Sequence, residues 1–324
     1  MARCGAWLVL SLGAVLGLGS GPANAQAPFP NKPIRLINPY AAGGPADVFA
    51  REIARSMGDI LGQPLIIDYK PGAGAAIGGD LVAKSAPDGY TLLLSTAASH
   101  IVSPALNPKN PYDGIKDFAP IGNFVTVPNV LAIHPSVAAA SVKEFVALAK
   151  AKPGRLNYAS AGNGSSPHLA GELFKLGTGT FITHIPYRGA APAVVDQLAG
   201  TVEMTMLNVT AVLPHIKTGR LRALAVTSPK RSSALPEVPS LDELGYKNME
   251  IMTWYGIAAP AKTPKEIVDA LYAALAKAAP RAKPAFDAQG SEVLLLDGAG
   301  FARLMQEEAA RVKKIIAAAN IKAD

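Results

Sequence analysis

Cysteine is almost absent from this chain. Of 324 residues only Cys4 is a cysteine, and it stands ahead of an apolar stretch rather than after it. That position excludes a lipoprotein anchor. Once the leader described below is removed, no disulfide, thiolate chemistry or cysteine metal site remains. Aromatic residues are scarce too, at 6%, so the core must be mostly Ala, Leu, Val and Ile. Charged residues make up 17%, with a net charge of +7. This excess favours anionic partners, but no basic cluster forms a nucleic-acid footprint. No apolar run reaches the ~18–20 residues of a membrane-spanning helix. Repeats of fixed period, heptads and low-complexity tails are missing as well. Against these absences stands an apolar content of 49%, enough for a large core in one big domain or two.

The first 25 residues read as a secretory leader. Arg3 is the only charge there, residues 6–18 are almost wholly apolar, and Ala23-Asn24-Ala25 supplies an Ala-x-Ala cleavage site before Gln26. The expected product is a soluble periplasmic chain cut after Ala25, with a net charge of +6 once Arg3 is gone.

The remainder repeats one grammar. Ile34–Ile37 is a short strand, followed by a loop of small residues and a helix with Phe49, Ile53, Met57, Ile60 and Leu61 on one face. Gly62 stops that helix. Strands at Leu65–Ile67 and Tyr90–Leu94 flank a second helix over Ala75–Lys84. This β-α-β-α-β order predicts a parallel sheet with helices on its faces. Ser141-Val-Lys-Glu144 has the spacing of a capping box. A second α/β unit follows: strands at Leu156–Ser160, Phe181–Ile185, Val202–Leu207 and Leu221–Val226, with helices after Pro167 and over Ala190–Ala199. Beyond a proline-rich connection come a strand at Trp254–Ala259, a second capping box at Thr263-Pro-Lys-Glu266, and a terminal helix over Phe301–Ala319.

Strand, small-residue loop and helix start recur around Gly43-Gly44 and again around Asn163-Gly164. Four chemistries compete for these loops. Catalysis lacks a Gly-x-Ser-x-Gly elbow, and His100, His134, His168, His184 and His215 show no metal-ligand spacing. Its remaining candidates are Ser165 and Ser166 with His168, which would make a secreted hydrolase. A dinucleotide site at Leu65–Gly78 has the wrong glycine spacing, Lys70-Pro71 interrupts it, and no Walker lysine follows. An adhesion module would need long alternating strands or an aromatic patch, and neither is present. The fourth reading is a pair of facing anion sites. Helix N-termini offer unpaired N–H groups and about half a positive charge, and glycine at 43, 44, 162 and 164 lets a ligand approach the backbone. Two ordinary βα turns would look the same at this stage.

Several segments then occur in an order seen in one family: Asn38-Pro-Tyr-Ala-Ala-Gly-Gly-Pro-Ala-Asp47, Pro71-Gly-Ala-Gly74, Pro87-Asp-Gly-Tyr-Thr-Leu92, Leu156 to His168, Pro186-Tyr-Arg-Gly189 and Leu221-Arg-Ala-Leu-Ala-Val226. The chain resembles the periplasmic solute-binding receptors of tripartite tricarboxylate transporters, the Bug or TctC type, over almost all of its mature length. The resemblance implies an α/β, two-lobed type II periplasmic-binding-protein fold, each lobe a mostly parallel sheet flanked by helices, closing on a small carboxylate. Lobe 1 would take residues 26–125 plus 228–324, and lobe 2 residues 126–227. It further implies ligand contacts from Tyr40, Ala42, Gly43, Gly44 and Asp47 on the first loop and from Ser95. On the second lobe they would come from Ser160, Asn163, Gly164, Ser165, Ser166 and His168, and from Tyr187, Arg188, Gly189 and Asn208. No catalytic residue, metal or cofactor is expected. The partners would be the carboxylate and integral-membrane transporter subunits, with the receptor itself a monomer.

Two departures bear on the ligand. The family often has Tyr-Pro-x-Gly-Gly-Ser/Thr-Asp where this chain has Ala41 and Pro45, and Pro45 removes an N–H donor and a hydroxyl. Leu207-Asn208 stands where Phe-Asp is common, which takes a negative charge out of the cleft.

Overall fold

The structure is a computed structural model that describes residues 1–2 and 29–321. The leader and its cut after Ala25 lie outside the described residues. The first sheet begins with β1 (Ile34–Asn38), β2 (Leu65–Tyr69) and β3 (Thr91–Ser95), which pair in parallel in the order β3-β1-β2. Two helices cross over between them: α1 (Pro45–Leu61) and α2 (Ala76–Ala83). Their ends follow from single residues. Pro45 suits the first helical position because its missing N–H would have had no partner, and Gly62 takes φ 68° to end α1. Phe49, Ile53 and Met57 on the inner face of α1 are fully buried.

After a π-helical turn (Ala98–Val102) and the short α3 (Ser103–Leu106), β4 (Phe118–Pro128) runs the length of the first sheet and passes through Asn129 into β5 (Val130–Ile133), which belongs to the second. The second sheet adds β6 (Asn157–Ser160), β7 (Thr183–Pro186), β8 (Met204–Thr205) and β9 (Arg222–Val226) in the order β7-β6-β8-β5-β9. Its helices are α4 (Val142–Ala151), α5 (Ser166–Thr178), α6 (Ala190–Leu198) and α7 (Val209–Lys217). The chain returns through Thr227. Then β10 (Met252–Pro260), α8 (Lys265–Ala288), β11 (Glu292–Asp297) and α9 (Gly298–Ala319) complete the first sheet, ordered β11-β4-β10-β3-β1-β2.

Both sheets are mixed rather than mostly parallel. β10 lies antiparallel between β3 and β4, and β5 pairs antiparallel with β8 and β9. The crossover strand keeps the direction of the βα repeats it leaves, since β10 opposes both β3 and β4, and as β5 it opposes the repeats of the sheet it enters. Elsewhere too the sequence reading needed correction. At Thr263 no capping box forms. Pro264 keeps an extended ψ of 142° and becomes the N-cap, so α8 starts at Lys265. Ser141 does cap α4, accepting the Glu144 N–H at 3.2 Å, while the Glu144 carboxylate takes the Ala140 N–H at 2.7 Å. The terminal helix α9 leans across the molecule, its Phe301, Met305, Val312 and Ile315 sharing one apolar cluster with Leu169, Ala170 and Phe174 of α5.

Candidate functional site

The strands cross at a polar knot. Asn129 and Thr227 pair through their backbones, the Asn129 N–H also reaching Thr227 Oγ1 at 2.9 Å. Asn208 Nδ2 donates to Asn129 Oδ1 and to Thr253 Oγ1, both at 2.6 Å, and Tyr255 donates to Asn208 Oδ1 at 3.4 Å. This network explains the amide at 208. An aspartate could not donate the two bonds that join β10 to the crossover.

Beside this knot opens a cleft of about 670 Å³, including its solvent-open part. Helix starts surround it. Gly44, Pro45 and Ala46 come from α1, Ser165, Ser166 and Pro167 from α5, and Gly189, Ala190 and Ala191 from α6. Asn208, the N-cap of α7, also lines it. First-turn N–H groups have no intrahelical acceptor, so positive partial charge converges here. Neither Gly44 nor Gly189 offers a side-chain cap that would compete with a ligand for those groups. Arg188 is the only charged side chain in the lining. It is exposed and forms no ion pair or hydrogen bond among the described residues. The rest of the wall is small or aromatic, with Tyr40 and Thr96 joined hydroxyl to hydroxyl at 3.0 Å. Burial pushes the Tyr40 phenol up to about 12, against the lowering effect of the Thr96 bond, so it stays neutral.

Eight of the sixteen candidate contacts line this cleft: Tyr40, Ala42, Gly44, Ser165, Ser166, Arg188, Gly189 and Asn208. Gly43 faces a neighbouring cavity. The others turn away, each for a visible reason. Asp47 folds back on its own loop, accepting the Gly43 N–H at 2.9 Å, Arg51 Nε at 2.9 Å and the Tyr69 hydroxyl at 2.6 Å. Burial opposes its ionisation, but these bonds outweigh burial and hold its carboxyl below the usual range. Ser95 is fully buried beside His100 Nε2 at 2.9 Å. Because His100 Nδ1 must donate to the Gly114 carbonyl at 2.6 Å, Nε2 accepts from Ser95. Burial then drives this imidazole down to about 4, with only the Gly114 bond opposing.

The loop before α5 is braced from within. Ser160 Oγ meets the Gly162 N–H at 3.1 Å and His184 Nε2 at 2.7 Å. Gly164 N–H donates to His168 Nδ1 at 3.0 Å, and Ser165 Oγ donates to the Gly162 carbonyl at 2.6 Å. His168 stacks on His184 with centroids 4.0 Å apart, and His184 stacks on Tyr158 at 4.8 Å. Burial, with lesser contributions from His168 and Lys175, takes His184 down to about 3. The Asn163 carbonyl faces Gly74, and the Tyr187 hydroxyl is tied to Asp196 at 2.6 Å. The hydroxyls of Ser165 and Ser166 are engaged elsewhere, with the Gly162 carbonyl and Thr253 Oγ1 respectively. Serine–histidine pairs do form, but outside this cleft: burial leaves the imidazoles of Ser160–His184 and Ser95–His100 too weakly basic for a general base at neutral pH, and Ser136–His134 sits on an exposed turn.

The cleft also takes residues that sequence reasoning missed, chiefly Thr96 and the β10 run Thr253, Trp254 and Tyr255. Trp254 is 3% exposed and its indole N–H has no hydrogen-bond partner among the described residues.

Two α/β sheets joined by crossing strands, with a cleft ringed by helix starts, define the periplasmic-binding-protein class. Within it the profile of the tripartite tricarboxylate transporter family receptor, TctC, matches residues 49–321, and the chain belongs to this family. Protein BugT of Bordetella pertussis is 42% identical over 261 residues, 79% of this chain and 80% of that relative. The structure of R. palustris Rpa4515 with adipate is 33% identical, with a TM-score of 0.87 over 91% of this chain and 99% of that one. MatC from Rhodopseudomonas palustris with bound malate is 29% identical, with a TM-score of 0.82 over 89% of this chain and 100% of that one. The family and its structural neighbours are solute-binding receptors, not enzymes, and this chain is a solute-binding receptor.

Proposed function

We propose that the chain is a periplasmic receptor for a small carboxylate, cut after Ala25 and acting as a monomer. It would deliver its ligand to integral-membrane subunits of a tripartite tricarboxylate-type transporter. The observation that carries this reading is the lone cation: Arg188 is the one charged side chain in a cleft ringed by the starts of α1, α5 and α6. A carboxylate there accepts first-turn N–H bonds and a charge-assisted pair from Arg188. Tyr40, Ala42, Gly44, Ser165, Ser166, Gly189 and Asn208 complete its surroundings, and Asp47, Ser95, Ser160, Asn163, Gly164, His168 and Tyr187 hold the loops that present them. Adipate and malate in two structural neighbours are both dicarboxylates, which supports this ligand class. The moving bodies would be residues 26–125 with 228–324, and residues 126–227, hinged where the strands cross near Asn129 and Thr227.

A thermal-shift screen of mono-, di- and tricarboxylates, amino acids and aromatic acids on the mature protein tests this. A true ligand at 100 times its Kd stabilises by about 2.7 kcal/mol and reduces the radius of gyration in small-angle scattering. Stabilisation by neutral or cationic solutes alone would overturn the reading.

A further inference from the structure

The cleft does not end at its own wall. A second cavity of about 720 Å³, solvent-open part included, lies between α1, α6 and α7. Gly44, Pro45, Ala190 and Ala191 line both spaces, so the only partition is the first turns of two helices. That partition is bare. A Cβ built on Gly44 would meet nothing within 4 Å, and the other three residues carry nothing longer than a methyl or a pyrrolidine ring.

Beyond it the walls are mainly aliphatic, with Val48 from α1, Val194, Val195 and Leu198 from α6 and Ala211 from α7, while Thr210, His215 and Gln289 supply the polar part of the lining. Val194 and Leu198 sit four residues apart on one helix face, while Val195 is left 63% exposed. No acidic side chain lines either cavity. An anionic head held by Arg188 and the helix starts could therefore extend an apolar chain over Gly44 and Ala191 onto these valines, without desolvating a charge.

We infer that this side cavity is a subsite for the apolar tail of the ligand, and that the receptor takes carboxylates whose chain is long enough to cross from the cleft into it. The inference rests on reading the cleft as a carboxylate site. It commits the ligand to a head-and-tail acid, because a compact polyanion would leave the aliphatic groove wet.

Calorimetry with straight-chain monocarboxylates from acetate to octanoate provides the test. Affinity should be flat for the shortest acids and then rise about fourfold for each methylene that enters the groove. Ala211→Phe, which fills the groove from α7, should cancel that rise and leave acetate and propionate unchanged. Val195→Lys, at an exposed position, should also cut octanoate binding and spare acetate, which guards against misfolding as the explanation. Binding of short acids with no gain in length, or the same gain in both variants, would overturn the subsite and leave the carboxylate reading standing. Failure of every one of these acids to bind would overturn the subsite, and the carboxylate reading would fall with it only if the di-, tri-, amino and aromatic acids of the thermal-shift screen failed as well.

Discussion

The loop leading into α1 and the loop leading into α5 are alike as sequence, each bearing two glycines, small polar residues and a proline in the first helical turn. They differ in how they use their backbone. Before α1, the Tyr40 and Gly43 N–H groups go to the side chains of Asn38 and Asp47, but Gly44 stands in open space with φ −91°. Before α5, Gly162 and Gly164 both donate inward, to Ser160 and His168. Gly164 also sits at φ 75°, where a Cβ would lie 2.7 Å from Val102 Cγ1. On the proposed reading the first loop leaves Gly44 open to a ligand, whereas the second spends both its glycine amides on holding its own shape. The same glycine-rich spelling thus serves approach in one place and packing in the other.

The sharpest way to break this contrast is a matched pair of substitutions. Gly164→Val should cost about 3 kcal/mol or more of stability, from a left-handed backbone and an overpacked contact with a stiff β-branched neighbour, read as a lower midpoint in chemical unfolding. Gly44→Val should unfold like the wild type, since extended backbone suits valine, yet weaken carboxylate binding by about 100-fold by occupying the ligand's place. Equal loss of stability in both would remove the distinction. Next in size, Arg188→Ala should reduce affinity by roughly tenfold to thirtyfold, the loss of one charge-assisted bond, with an unchanged melting temperature. Asp47→Ala should cost about 1–2 kcal/mol of stability through the unpaired Gly43 N–H, with binding weakened only through the loosened loop.

pH separates the two loops more gently. His184 has its folded value depressed from 6.5 to about 3, so the unfolded chain binds the extra proton first. Its stabilising contribution is complete above pH 6.5 and is lost as pH falls towards about 3. His100 behaves alike down to about 4. Asp47, also depressed, keeps its contribution until pH drops below the ordinary carboxylate range near ~4. His184→Phe should therefore flatten, but not abolish, the fall in unfolding free energy between pH 6.5 and 4. An unchanged slope would show that the imidazole stack does not brace the α5 loop.

Much of the fold was legible because local rules agreed with the final packing. Pro45 and Gly62 bound α1, Ser141 caps α4, and apolar spacing marks the inner face of α1. What escaped was non-local. Thr253, Trp254 and Tyr255 reach the cleft only because β10 is drawn between β3 and β4, and nothing within 20 residues of them announces a ligand. The sequence offers Ser95 where the cleft takes Thr96, one position on: side chains alternate along a strand, so Ser95 points to His100 while Thr96 faces Tyr40. α7 was hidden by Pro214 within it. The sequence marks His168 by its place beside a glycine loop, but not its stack on His184, which β7 brings in from 16 residues away.

The most direct test of the account is a crystal structure of the mature protein with a bound carboxylate. The account predicts carboxylate oxygens within about 3 Å of first-turn N–H groups of α1 and α6, with the Arg188 guanidinium closing over them and the His168–His184 stack untouched. A carboxylate lodged instead against the Asn163–His168 segment, with Gly44 and Arg188 out of reach, would contradict it.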